Sequence, residues 1–167
     1  PLENGKVYSY NLRAIDAEGN FITDYSAVDF ENTFYAPPVI SSLTATQNGV
    51  KVVWGSVEGI VKFVLYRAET GKSWNRLAIT DKAEYLDKTA VSGKTYKYTV
   101  RCLSADGETL LSHHNSGATI AYYQTPYITS ISNTLTGAKI TWKRPSGVVK
   151  CRLYYKKGTS WVKITET

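Results

Sequence analysis

Between Val50 and Trp54 every second residue is apolar. Val50, Val52 and Trp54 alternate with Lys51 and Val53. A period of two buries one face of a β-strand. The same alternation runs through Val61, Phe63 and Leu65, with Lys62, Val64 and Tyr66 between them. It is longest at Tyr96, Tyr98, Val100 and Cys102, with Lys97, Thr99 and Arg101 on the opposite face. Turn signals separate these runs at Asn48-Gly49, Gly59, Glu69-Thr70-Gly71 and Asp106-Gly107. "ISSLTAT" (40–46), "SWNRLAIT" (73–80), a short stretch at Ala83–Leu86 and "GATIAYY" (117–123) supply the remaining strands. No segment shows a helical period. The pattern predicts an all-β fold, a two-sheet antiparallel sandwich over residues 37–124.

The pattern also repeats. "GKVYSYNLRAIDAEG" (5–19) returns as "GKTYKYTVRCLSADG" (93–107), 88 residues later. Tyr8/Tyr96, Tyr10/Tyr98, Arg13/Arg101, Tyr35/Tyr123, Pro38/Pro126, Trp54/Trp142, Gly59/Gly147 and Tyr66/Tyr154 keep the same offset. Twenty of the 62 positions from 5 to 66 are identical to their partners. One residue is then lost, and "GKSW" (71–74) matches "GTSW" (158–161). A match that crosses every element in order indicates a tandem repeat. It predicts that residues 1–36 are the C-terminal part of a first unit, 37–124 a complete unit, and 125–167 the N-terminal part of a third.

On these residues the chain resembles the fibronectin type III family. "GVKVVWGSVEGIVKFVLYRAETG" followed by "AVSGKTYKYTVRCLSADG" carries the likeness. Trp54, and Trp142 in the next unit, match the Trp that ends the family's second strand. Tyr96 and Tyr8 match its tyrosine-corner residue, with Tyr96 expected to bond backbone near Ala90. The resemblance implies tandem fibronectin type III or immunoglobulin-like sandwiches with an 88-residue period. The wording also resembles repeats of large secreted or surface proteins of Gram-positive gut bacteria, which implies an extracellular location. Gly93 stands where the family usually has Pro-Gly, and no Arg-Gly-Asp occurs, which argues against an integrin-type role.

Composition adds little to this and removes some alternatives. Methionine is absent, so the chain is expected to be a piece of something longer. No apolar run approaches the roughly 18 residues of a membrane span, and no membrane insertion is expected. Net charge is +6, divided as −4 over residues 1–36, +3 over 37–124 and +7 over 125–167. Seven of the eight basic residues of the last part, Lys139, Lys143, Lys150, Arg152, Lys156, Lys157 and Lys163, are spread through strand patterns. They read as solvated faces, and no nucleic-acid partner is expected.

Candidate chemistry is sparse. Cys102 and Cys151 fall in different units and read as two small buried hydrophobes, the alternative being a reactive thiol or an interchain bridge. His113 and His114 are adjacent and so point to opposite faces of an extended chain, and no Cys/His spacing suggests zinc. Asp16, Glu18, Asp106 and Glu108 sit at turns, where acids have backbone reasons to be. Neither a catalytic set nor a cofactor motif appears, so neither an enzyme nor a cofactor is expected.

The remaining candidates are aromatic. Tyr66 lies outward on the third strand of the unit, and Trp74 is expected on the next strand. Tyr154 and Trp161 repeat the pair. Such a face can stack on sugar rings or anchor a protein. Otherwise Trp74 folds over its own sheet edge, covering Tyr66 and Val64. The expectation is a structural or adhesive module, with a carbohydrate-binding accessory module of a glycosidase as the rival. Its expected partners are neighbouring repeats of the same protein, or head-to-tail copies in which 125–167 of one chain complete 1–36 of another. A protein or glycan ligand is the further candidate.

Overall fold

The computed structural model describes residues 1–167 and contains strands and no helix. The strands are β1 (Val7–Tyr10), β2 (Phe30–Thr33), β3 (Ile40–Thr46), β4 (Gly49–Trp54), β5 (Lys62–Glu69), β6 (Asn75–Thr80) and β7 (Glu84–Asp87). They continue as β8 (Lys94–Leu103), β9 (Ala118–Tyr122), β10 (Tyr127–Thr134), β11 (Gly137–Lys143), β12 (Arg152–Lys157) and β13 (Ser160–Glu166).

Strands β3 to β9 make two antiparallel sheets, ordered β3-β4-β7 and β6-β5-β8-β9. Val50, Val52 and Trp54 of the first sheet meet Phe63, Leu65, Tyr96, Tyr98, Val100 and Tyr122 of the second in one buried cluster. Two sheets sharing a cluster in this way form a β-sandwich. Each such side chain contributes about 1.5–3 kcal/mol by leaving water. Trp54 meets Phe63 edge-on, with ring centroids 5.9 Å apart and planes at 71°, an arrangement that suits the ring quadrupoles. The period of two in β4 is the period of burial: Val50, Val52 and Trp54 are buried, Lys51 and Val53 half-buried.

Three readings change. Val61 is exposed and precedes β5 instead of lying on its inward face. The turn closed by Ile60 N–H on Val57 O delays re-entry into the sheet until Lys62. Trp74 is not on a strand but in the turn before β6. There Lys72 N–H bonds Glu69 O, and the Asn75 side chain donates to Ser73 O, so strand pairing starts only at Asn75. Val64 and Thr99, expected on the outward face, are nonetheless buried.

The flanking segments form hairpin-like pairs: β1 with β2, β10 with β11, and β12 with β13. Their details match the central sandwich at an offset of 88. Gly5 N–H bonds Phe34 O as Gly93 N–H bonds Tyr122 O, both at 2.8 Å. The register slips after Ile128 as it does after Ile40, and between Leu153 and Tyr154 as between Leu65 and Tyr66. Burial differs, however. Tyr98 is fully buried, whereas Tyr10 is 49% exposed, because no second sheet covers the β1–β2 pair.

Candidate functional site

The outward face of the four-stranded sheet carries a small cleft of about 180 Å³. Its walls are Tyr66 of β5, Thr99 and Arg101 of β8, Trp74 of the turn before β6, and His114 of the β8–β9 connection. The Trp74 and His114 rings are 6.3 Å apart and tilted by 58°. Arg101 is held from below, its Nε donating to Ser112 O at 2.7 Å. The Asn115 side chain bonds Thr99 Oγ1 and Pro38 O, pinning the connection to the sheet. A half-buried indole beside a guanidinium and an imidazole can stack on a flat ligand and hydrogen-bond its rim. Thus Tyr66 and Trp74 come together, and Arg101 and His114 join them although neither was picked out from sequence for this cleft.

The second pair is not arranged alike. Trp161 lies within β13 opposite Lys156 and is 67% exposed, while Tyr154 pairs with Lys163. Trp142 is half-buried and shares with Tyr154 an apolar cavity of about 220 Å³ that Cys151 and Leu153 also line.

The two expected corner tyrosines make the same bond. Val91 N–H donates to Tyr96 Oη at 3.0 Å, and Glu3 N–H donates to Tyr8 Oη at 2.7 Å. The partner is one residue beyond Ala90, and the hydroxyl accepts. Tyr96 is buried and Tyr8 half-buried.

One polar group was not picked out from sequence. Asp87 closes β7 and is fully buried. Its Oδ2 accepts from Arg67 at 2.6 Å and from the Tyr98 hydroxyl at 2.8 Å. Its Oδ1 accepts from the Thr89 N–H at 2.9 Å and the Thr89 hydroxyl at 2.7 Å. Burial pushes the carboxyl up, but the bonds from Thr89, Tyr98 and Arg67 outweigh it and hold the pKa below the usual carboxylate value. Burial and the Asp87 charge push Tyr98 far up, so it stays a neutral donor. Arg67 also lies over the Tyr96 ring, 4.7 Å from its centroid. The signal was there: Ala83, Tyr85 and Asp87 share one parity, and Ala83 and Tyr85 pack on the core.

Both cysteines are free thiols. Cys102 is buried, and burial raises its pKa; its Sγ lies 3.6 Å from Ala36 O. Cys151 immediately precedes β12. No three His, Cys, Asp or Glu side chains gather in a metal-holding group, and no helix is long and apolar enough to cross a membrane.

No family model matches the chain. Exoglucanase B of Cellulomonas fimi is 27% identical over an alignment of 119 residues that covers 64% of this chain and 10% of that protein. The chain therefore spans about a tenth of that relative. A β-1,2-glucanase from Parabacteroides distasonis superposes on 66% of this chain and 17% of its own, with a TM-score of 0.46 and 17% identity. The FN1-FN3 domains of chicken CNTN1 superpose on 98% of this chain and 62% of their own, with a TM-score of 0.40 and 14% identity. Both scores lie below 0.5, and neither likeness bears on family or function.

Proposed function

We propose that the chain is a non-catalytic structural and interaction module, a run of fibronectin type III-like sandwiches that spaces or presents other domains of a larger extracellular bacterial protein. One observation carries the reading: four bonds of residues 1–36, Glu3–Tyr8, Gly5–Phe34, Lys6–Glu3 and Gly19–Asp16, recur at an offset of 88 as Val91–Tyr96, Gly93–Tyr122, Lys94–Val91 and Gly107–Ser104. Consecutive copies of one unit, each built on its own core, make an array whose length scales with unit number. Residues 1–36 and 125–167 are then portions of the units on either side of residues 37–124. The +7 charge of 125–167 lies on solvated strand faces.

A second reading is favoured by the cleft at Trp74 and by the likeness to a tenth of a Cellulomonas exoglucanase. In it the module is an accessory to a glycosidase, and Trp74 stacks on a sugar ring. A glycan array separates the two. The spacer reading expects no binding by the parent chain. Binding that is lost in both Trp74→Ala and Trp161→Ala would replace it with the accessory reading.

A further inference from the structure

The central sandwich and the segment that follows it approach to backbone distance. Gly93 has a φ of 85° and Gly147 a φ of 77°. Their Cα atoms approach so closely that a Cβ on Gly93 would stand 2.7 Å from the Gly147 Cα, and one on Gly147 would run into Gly93. Such distances exclude any side chain at either position, and both conformations are ones that L side chains rarely adopt. Beside this contact the Ser92 hydroxyl makes two bonds. It donates to Ser146 O at 2.7 Å, across to the next segment, and accepts from Gln124 N–H at 3.1 Å, in the connecting linker. The Tyr123 ring lies against Gly147.

The same positions meet one unit earlier. Asn4, 88 residues before Ser92, accepts from Ala36 N–H of the linker at 2.9 Å. Tyr35 lies beside Gly59 as Tyr123 lies beside Gly147. Here, however, Gly5 and Gly59 do not touch. They flank a cleft of about 320 Å³ with Asn4, Lys6, Tyr35 and Glu58. The Ser146 position is Glu58, and no bond spans the gap from Asn4 to it.

We infer that the loop Val91–Lys94 is a docking surface for the Pro145–Val148 turn of the next unit, and that the Gly93–Gly147 contact with the Ser92 bridge locks the angle between successive sandwiches. The occupant of this surface is the following repeat of the same chain. Two glycines are required because the units approach to backbone distance. One serine hydroxyl couples linker and neighbour, so the linker cannot rotate without breaking the joint. Where Asn4 stands at the Ser92 position, no side-chain bond crosses to the Glu58–Gly59 turn and the joint is open. This rests on the reading of the chain as consecutive units of one array.

Residual dipolar couplings on the full chain test it. The parent is expected to need a single alignment tensor for residues 40–122 and 127–166. Gly147→Ala, which places a methyl against Gly93, should lose that common tensor. Ser92→Ala, which strains no backbone, should lose it as well. Gly59→Ala provides the control, because it imposes the same left-handed strain at the matching position with no backbone in its way. It should keep the common tensor. Independent tensors in the parent, with β10–β11 and β12–β13 well fitted, would overturn the joint and leave the array standing. Couplings that misfit those strand pairs would overturn both. A common tensor retained in Gly147→Ala and Ser92→Ala would also refute the lock.

Discussion

Tyr96 shows how much one oxygen does here. Its ring is buried in the core, while its hydroxyl leaves the core to accept from Val91 N–H. That bond ties the loop entering β8 to the strand itself, and Tyr8 repeats it with Glu3. Tyr96→Phe keeps the ring and removes the acceptor, leaving a backbone donor without its partner. We expect a loss of about 1–2 kcal/mol, seen as a lowered melting temperature of the central sandwich. An unchanged melt would show that the hydroxyl bond has no net worth. Alternation placed the Tyr96 ring inward, and the resemblance to the fibronectin type III family implied the hydroxyl bond. Arg101 and His114 were not: they reach the Trp74 cleft from a strand and a loop, and nothing local to either links them.

At the scale of elements, alternation exposed the strands, and it erred where side-chain bonds override it. β6 begins at Asn75 because the Glu69–Asn75 turn uses its own hydrogen bonds. Asp87 is the inverse case, a charged residue whose parity places it inside. It joins β7 of one sheet to Arg67 of β5 and Tyr98 of β8 in the other. Removing one partner of such a buried pair strands the other, and Asp87→Ala should cost about 3 kcal/mol. The pH dependence follows from the depressed pKa. The folded carboxyl titrates below its unfolded value of about 3.9, so its contribution is complete above that value and is lost as pH falls through the folded one. Asp87→Asn should therefore be less stable than the parent at neutral pH and converge on it in acid. Glu69, whose pKa Lys94 and Lys72 lower, is present in both proteins and drops out of the difference. Parallel urea midpoints for parent and variant from pH 7 to pH 2 would contradict the assignment.

Over the whole molecule, the 88-residue offset is carried by side chains that recur, whereas glycines have none to show where two of them meet. Gly93 and Gly147 recur at the same offset as Gly5 and Gly59, yet the first pair touches and the second does not, so only three-dimensional packing reveals the contact. The same recurrence says what the open faces want. Trp142 and Leu153 line a cavity at positions equivalent to the core residues Trp54 and Leu65. In the central sandwich Tyr96, Tyr98, Val100 and Tyr122 close the corresponding side. Residues 1–36 hold the equivalents of those four, Tyr8, Tyr10, Leu12 and Phe34, and Leu12 is 74% exposed. Their charge of −4 complements the +7 of residues 125–167. Unpaired strand edges and open apolar faces of matching pattern drive association. We therefore expect the isolated 167-residue chain to associate head to tail, residues 125–167 of one molecule closing over residues 1–36 of the next. A contact between unlike surfaces propagates unless it closes a ring. Sedimentation velocity should show size rising with concentration, and high salt should weaken the charge-assisted part. Leu12→Asp, which places a carboxylate in the new core, should return the chain to monomer. A parent chain that sediments as a monomer at every concentration would rule out completion by a second copy.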